Sequence, residues 1–220
     1  MFTAPLPPGR VEVLERLAGL PGLKSFYLAG GTAVALHLGH RISEDFDFFT
    51  PVEFDAATLR DELHVAGNFI LTDIKRNTLH GIFDEVKVSF LFYAHRLVFQ
   101  THLFSGFPIA DLHDLAPMKL DTVGSRGSKK DFIDLYFIAN TAIPLMEIFC
   151  LYENKYSHLQ INVKHLIMSL TYFEDAEKSR DNLVLLKKSA TWSKIKEYFE
   201  KQAKVVLEEK KNMGVGDTLL

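Results

Sequence analysis

Residues 28–49 read LAGGTAVALHLGHRISEDFDFF, and this stretch constrains the chain more than any other. The apolar run SFYLAG reads as a short strand, broken by Gly30-Gly31. TAVALHLGH then reads as a helix opened at Thr32, a residue type favoured at helix starts. In EDFDFFT, Asp45 and Asp47 alternate with Phe46 and Phe48, which is strand periodicity. Pro51 ends that strand.

Each piece has a chemical meaning that is weak alone. Glycine between strand and helix lets backbone approach a ligand, and the helix start offers unpaired N–H groups to an anion. A Gly-Gly pair also marks many tight turns. Residues i and i+2 of a strand point the same way, so both carboxylates can converge on one point. Oxygen ligands of that kind suit Mg²⁺, which also takes phosphate and water oxygens. With Phe46, Phe48 and Phe49 directed to a core, the acids project from the opposite face. An isolated D-x-D is more often a solvated strand face, but an anion cradle followed by a metal-binding pair suits phosphoryl chemistry. Arg41 and Ser43 directly precede the acids. Arg41 can orient Asp45 or grip a phosphate bidentately; it can equally cap the loop.

Around this core the pattern is mixed. VEVLERLAGL reads as an amphipathic helix ended by Pro21-Gly22, and FDAATLRDELHVAG as another, with Asp55 as N-cap and Gly67 as stop. FILTDIKRN, TLHGIF and EVKVSFLFY read as strands, with Asn77 and Gly81 as turn punctuation. Val86, Val88, Phe90 and Phe92 share one face of the last. Beyond Phe107-Pro108 the signals are helical. The expected fold class is α+β: an α/β part over residues 1–110 with a mixed sheet flanked by helices, then a helical part over 111–220 with a disordered tail at 212–220.

Residues 1–110 carry 9 Lys+Arg and 12 Asp+Glu, and residues 111–220 carry 16 of each. The second half is richer in both signs, as solvated amphipathic helices are. The net charge of −3 does not decide partners, because a positive field can be confined to one groove. A single cysteine, Cys150, excludes an internal disulfide and a cysteine zinc site; in IPLMEIFCLY it is expected to be buried and inert. No basic-then-apolar leader begins the sequence, and no run approaches the ~18 to 20 apolar residues that span a bilayer, so a cytoplasmic protein without a membrane partner is expected. His37 and His40 are spaced i, i+3 on the expected helix but lack an H-E-x-x-H pattern, which argues against zinc. His80, in NTLHG, reads as a turn or core histidine before a pocket residue. The aromatic side chains fall mostly at core positions.

The wording GGT…HRISEDFDFF resembles the glycine-pair and D-x-D signature of DNA polymerase β-like nucleotidyltransferases, and within them the AbiEii/AbiGii toxins of type IV toxin–antitoxin and abortive-infection systems. A second block, PMKLDTVGSRGSKKDFIDLYFI, resembles that family's lysine and D-x-x-D-L-Y segment. The resemblance implies an NTP-dependent, Mg²⁺-dependent (or Mn²⁺-dependent) transferase of a nucleoside monophosphate. Asp45 and Asp47 would hold the metal, and Gly30, Gly31, Thr32, Arg41 and Ser43 the phosphates. Lys119 would act on the leaving group, Arg126 and Lys130 would add positive charge, and Asp131 and Asp134 would tie that helix to the active-site floor or to those cations. It implies a helical part that completes the active site, an RNA acceptor at the tRNA end, and a cognate antitoxin. The basic pairs Lys129-Lys130, Lys187-Lys188 and Lys210-Lys211 can contact RNA or simply face solvent. Ser89 stands where relatives carry a third carboxylate; Asp84 or Glu85 would substitute only if a bulge shifted the strand. That departure keeps two alternatives open: a weakened nucleotide-binding or interaction module, and a protein-nucleotidylating enzyme.

Overall fold

The computed structural model describes residues 1–179, 183–187 and 190–212. The chain divides into two compact units, Met1–Leu115 and Ala116–Leu220. The expected disordered tail lies, except for Asn212, outside the described residues, as does Lys188.

The first unit is built on a seven-stranded mixed sheet. In chain order it comprises α1 (Arg10–Ala18), β1 (Tyr27–Ala29), α2 (Gly30–Leu38), β2 (Phe46–Thr50), α3 (Ala56–Ala66), β3 (Phe69–Lys75), β4 (Thr78–Phe83), β5 (Val86–Phe92), β6 (His102–Phe104) and β7 (Phe107–Ile109). The strand order is β3-β4-β5-β2-β1-β7-β6. β2 runs antiparallel to β1 and parallel to β5, and the centre of the sheet is therefore the strand pair that flanks the glycine turn. The alternation in β2 buries Phe46 and Phe48 and leaves Asp47 half-buried on the other side. Phe46 and Phe48 join Phe90, Phe107 and Leu28 in the core. Burial of this kind stabilises by roughly 1.5–3 kcal/mol per large apolar side chain.

Several expectations needed correction. The helix after the glycine pair starts at Gly30, two residues before Thr32. Phe49 does not share the core face with Phe46 and Phe48; period-two geometry sends it to the acid face, where its ring stacks on Tyr27. Gly81 is not a turn residue. It sits inside β4 because the Phe69 ring crosses it, 2.2 Å from where a Cβ would be. The turn is Asp84-Glu85, both with positive φ. Two three-residue strands, β6 and β7, had no sequence signal; Ser105 and Gly106 turn between them, again with positive φ.

The second unit is helical. Its first helix, α4 (Leu112–Ser125), begins before the division between the units. α5 (Lys129–Thr141), α6 (Leu145–Lys155), α7 (Val163–Ser169), α8 (Glu174–Lys178) and α9 (Trp192–Asn212) follow. α9 buries Ile195, Phe199, Ala203, Val206 and Lys210 on one stripe. Lys210 therefore faces neither solvent nor a nucleic acid: it is buried and bonds Glu153 at 2.7 Å. Cys150 is exposed, contrary to expectation, because the α6 stripe that turns inward is Leu145, Ile148, Phe149 and Tyr152. Among the described residues no single helix is long and apolar enough to cross a membrane.

Candidate active site

β1 and β2 pair in a register that sets Ala29 opposite Asp47. The glycine turn follows Ala29 immediately, so it meets the second aspartate by construction. Gly30 has φ +64°, and a Cβ there would lie 2.6 Å from Asp47 Oδ2. Both facts demand glycine: the left-handed backbone and the missing side chain. The α2 N-terminus has Ala29 at its cap, a residue with no side chain able to bond the first N–H groups. These amides and the Asp47 carboxylate thus occupy one corner of the acid face. Asp45 lies just before β2 and is exposed.

The side chains of Thr32 and Ser43 bond within the protein. The Thr32 hydroxyl donates to the Asp45 carbonyl, and its oxygen lies 2.7 Å from the Ser43 hydroxyl. Because Thr32 has one proton and has given it away, Ser43 is the donor in that second bond. Ser43 N–H in turn donates to the Pro5 carbonyl at 2.9 Å. Both residues are buried. They clamp the loop that delivers Asp45 to the first turn of α2. Arg41 is buried too and donates to the Ile42 carbonyl at 3.0 Å.

The acid face extends beyond the pair. Asp47 is level with Ser89 on β5, Ser89 with His80 on β4, and His80 with Asp73 on β3. These four side chains form one half-buried row. Ser89 therefore does occupy the place next to Asp47. The β2–β5 register is regular, and the irregularity in the sheet falls between Leu71 and Asp73 instead. Asp84 and Glu85 form the turn before β5, with Asp84 accepting from Asn68 N–H at 3.0 Å and pairing with Arg16; neither replaces the missing acid. His80 belongs to the row, not to a turn or the core, and Asp73 had drawn no attention in the sequence. Their alignment depends on strand register, which a sequence does not display.

Among the described residues no three His, Cys, Asp or Glu side chains are grouped so as to hold a metal ion. Asp45, exposed, and Asp47, half-buried, carry oxygen ligands of the kind a hard cation takes beside phosphate and water oxygens.

The second unit holds a separate cluster. Lys119 on α4 reaches Asp131 at 3.0 Å and Asp134 at 2.9 Å, both on α5. Arg126 approaches Asp131 at 3.3 Å and the Ser128 hydroxyl donates to it at 2.5 Å. Asp131 and Asp134 are fully buried. Burial pushes the Asp131 carboxyl up, but Lys119, Ser128 and Arg126 outweigh it and hold it below the ordinary carboxylate value. Lys129, at the start of α5, lies over the Trp192 ring at 5.4 Å, and Lys130 beside it is half-buried.

A curated protein of Aquifex aeolicus, aq_aa25, is 34% identical over 202 residues, covering 90% of this chain and 95% of the relative. The crystal structure of JHP933 from Helicobacter pylori superposes with a TM-score of 0.52 at 18% identity, covering 96% of this chain and 94% of that one, and thus shares the fold. The family described as nucleotidyl transferase AbiEii toxin, type IV TA system, matches residues 12–208. The chain belongs to the AbiEii family of nucleotidyltransferase toxins.

Proposed function

We propose that this nucleotidyltransferase moves a nucleoside monophosphate from an NTP to RNA, with Asp45 and Asp47 holding Mg²⁺ on the triphosphate. The observation that carries this reading is the convergence of Gly30, the α2 N-terminus and Asp47 on one corner of the acid face. The N–H groups and positive end of a helix start favour phosphate oxygens there. The bound cation, Mg²⁺ or Mn²⁺, supplies charge neutralisation for the triphosphate. Asp45 and Asp47 contribute its protein ligands, the amides of Gly30, Gly31 and Thr32 orient the phosphates, and Thr32 with Ser43 fixes the loop that sets the spacing. Arg41 takes part by holding that loop from within. The proposal extends to Lys119, Arg126 and Lys130 as cations for phosphate oxygens, with Asp131 and Asp134 positioning Lys119.

The acceptor follows the family's toxin character: the proposed target is tRNA, and a cognate antitoxin restrains the enzyme in the cytoplasm. Purified protein incubated with labelled NTPs, Mg²⁺ and total RNA provides the test, beside the Asp45→Ala/Asp47→Ala variant. Label should enter RNA of tRNA size with the wild type alone. Label on protein would replace RNA by a protein acceptor. NTP binding with no transfer to any acceptor would overturn the enzyme reading of this site, and growth arrest that survives the double substitution would detach toxicity from it.

A further inference from the structure

Ser89 leaves no carboxylate beside Asp47 to receive a proton from an attacking hydroxyl. The next residue along the row is His80, directly opposite Ser89 in the β4–β5 pairing. Residues level with one another in a sheet point to the same side. His80 therefore stands on the face that carries Asp47, and like Asp47 and Ser89 it is half-buried. Strands are about 4.8 Å apart, so two spacings put the His80 backbone about 10 Å from that of Asp47. Serine has the smallest side chain of the row, so it fills least of the face between Asp47 and His80. Other histidines of this unit are engaged: His37 with the Ala110 carbonyl, and His102 and His113 with Asp111. Among the described residues no hydrogen bond holds the His80 ring.

The geometry points to His80 as the catalytic proton acceptor for the attacking hydroxyl, in a site where serine has replaced the third acid. This rests on the transfer reading given above. As the acceptor oxygen forms its bond to the α-phosphorus, its O–H bond breaks and the proton passes to a ring nitrogen of His80. The bond from the α-phosphorus to the bridging oxygen breaks, and pyrophosphate leaves with the electron pair. The imidazolium then returns its proton to water. An imidazole can take a proton from a hydroxyl at one ring nitrogen and hand it on. The charged groups around it are Asp73 and Lys75 on β3, Lys87 on β5 and Asp47 on β2. Asp73, level with His80 on the side away from Ser89, offers the carboxylate that balances the charge the ring gains; Lys75 pairs with that carboxylate at 2.9 Å.

The test compares full-length wild type with His80→Ala and His80→Gln, using labelled NTP, Mg²⁺ and bulk tRNA, with NTP binding and thermal unfolding measured in parallel. Both variants should transfer roughly 10² to 10⁴-fold more slowly at neutral pH, bind NTP as the wild type does, and keep its thermal midpoint. Added imidazole should restore His80→Ala. Transfer within about threefold of wild type overturns the assignment, as does a loss matched by lost NTP binding or one that imidazole leaves unrepaired. Wild type that labels nothing brings down the transfer reading and this assignment together; active wild type with unimpaired variants brings down this assignment alone.

Discussion

The two charged clusters of this chain treat their carboxylates in opposite ways. In the sheet unit, Asp45 is exposed and Asp47 half-buried, beside Gly30 at the start of α2. In the helical unit, Asp131 and Asp134 have no exposure and are bridged by one lysine. The first arrangement leaves one carboxylate open to solvent, whereas the second buries both of its carboxylates against a lysine. Charge is thus no guide to function until its partners are known. A buried pair is costly to break because the survivor is left unpaired, whereas an exposed acid contributes little to stability and can be kept for chemistry.

The contrast is broken most severely at Lys119. Lys119→Met should cost about 3–5 kcal/mol of stability by stranding two buried carboxylates, read by urea unfolding. Replacing Asp131 and Asp134 by Asn in the same chain should recover much of that loss. Next comes Asp45→Asn/Asp47→Asn. It should lower transfer by about 10² to 10³-fold, in line with the loss of a group placed to stabilise developing charge, yet shift the thermal midpoint by only about 2 °C. If both pairs respond alike, the distinction between a ligand site and an internal cluster is lost.

Gly30→Ala should cost about 1–3 kcal/mol, from positive φ and from the collision with Asp47, and should reduce transfer as well, because the clash displaces a carboxylate. Thr32→Val removes the clamp on the Asp45 loop and should cost about 1 kcal/mol, with a smaller fall in transfer.

The pH dependence sharpens the comparison last. Asp131 has its folded-state value lowered by Lys119, Ser128 and Arg126 against the effect of burial. Its contribution is therefore fully present above the unfolded value of about 4 and is lost as pH falls through the folded value. Ser128→Ala should bring the onset of acid unfolding to higher pH, observed by circular dichroism between about pH 2 and pH 5. An unchanged onset would show that the cluster does not govern acid stability.

What could be read from the sequence was local. The strand–glycine–helix–strand order and the D-x-D spacing both lie within one short segment, and periodicity alone puts Asp47 opposite the buried Phe46 and Phe48. What escaped depended on partners far along the chain. Gly81 read as a turn because only the Phe69 ring, brought across from β3, explains a glycine within a strand. Phe49 looked like core until register stacked it on Tyr27. For Asp131 and Asp134 two partners stood open, the active-site floor or the nearby cations, and only the packing of two helices shows Lys119 between them. The row through Ser89, His80 and Asp73 exists only once three hairpin-linked strands are aligned.

The central claim is that the glycine turn and the acid pair make one nucleotide–metal site. Equilibrium binding of a labelled NTP, with and without Mg²⁺, to wild type and to Asp45→Asn/Asp47→Asn tests it most directly. Mg²⁺ should tighten binding to the wild type and leave binding to the equally folded variant unchanged. The same Mg²⁺ response in both proteins would contradict the account.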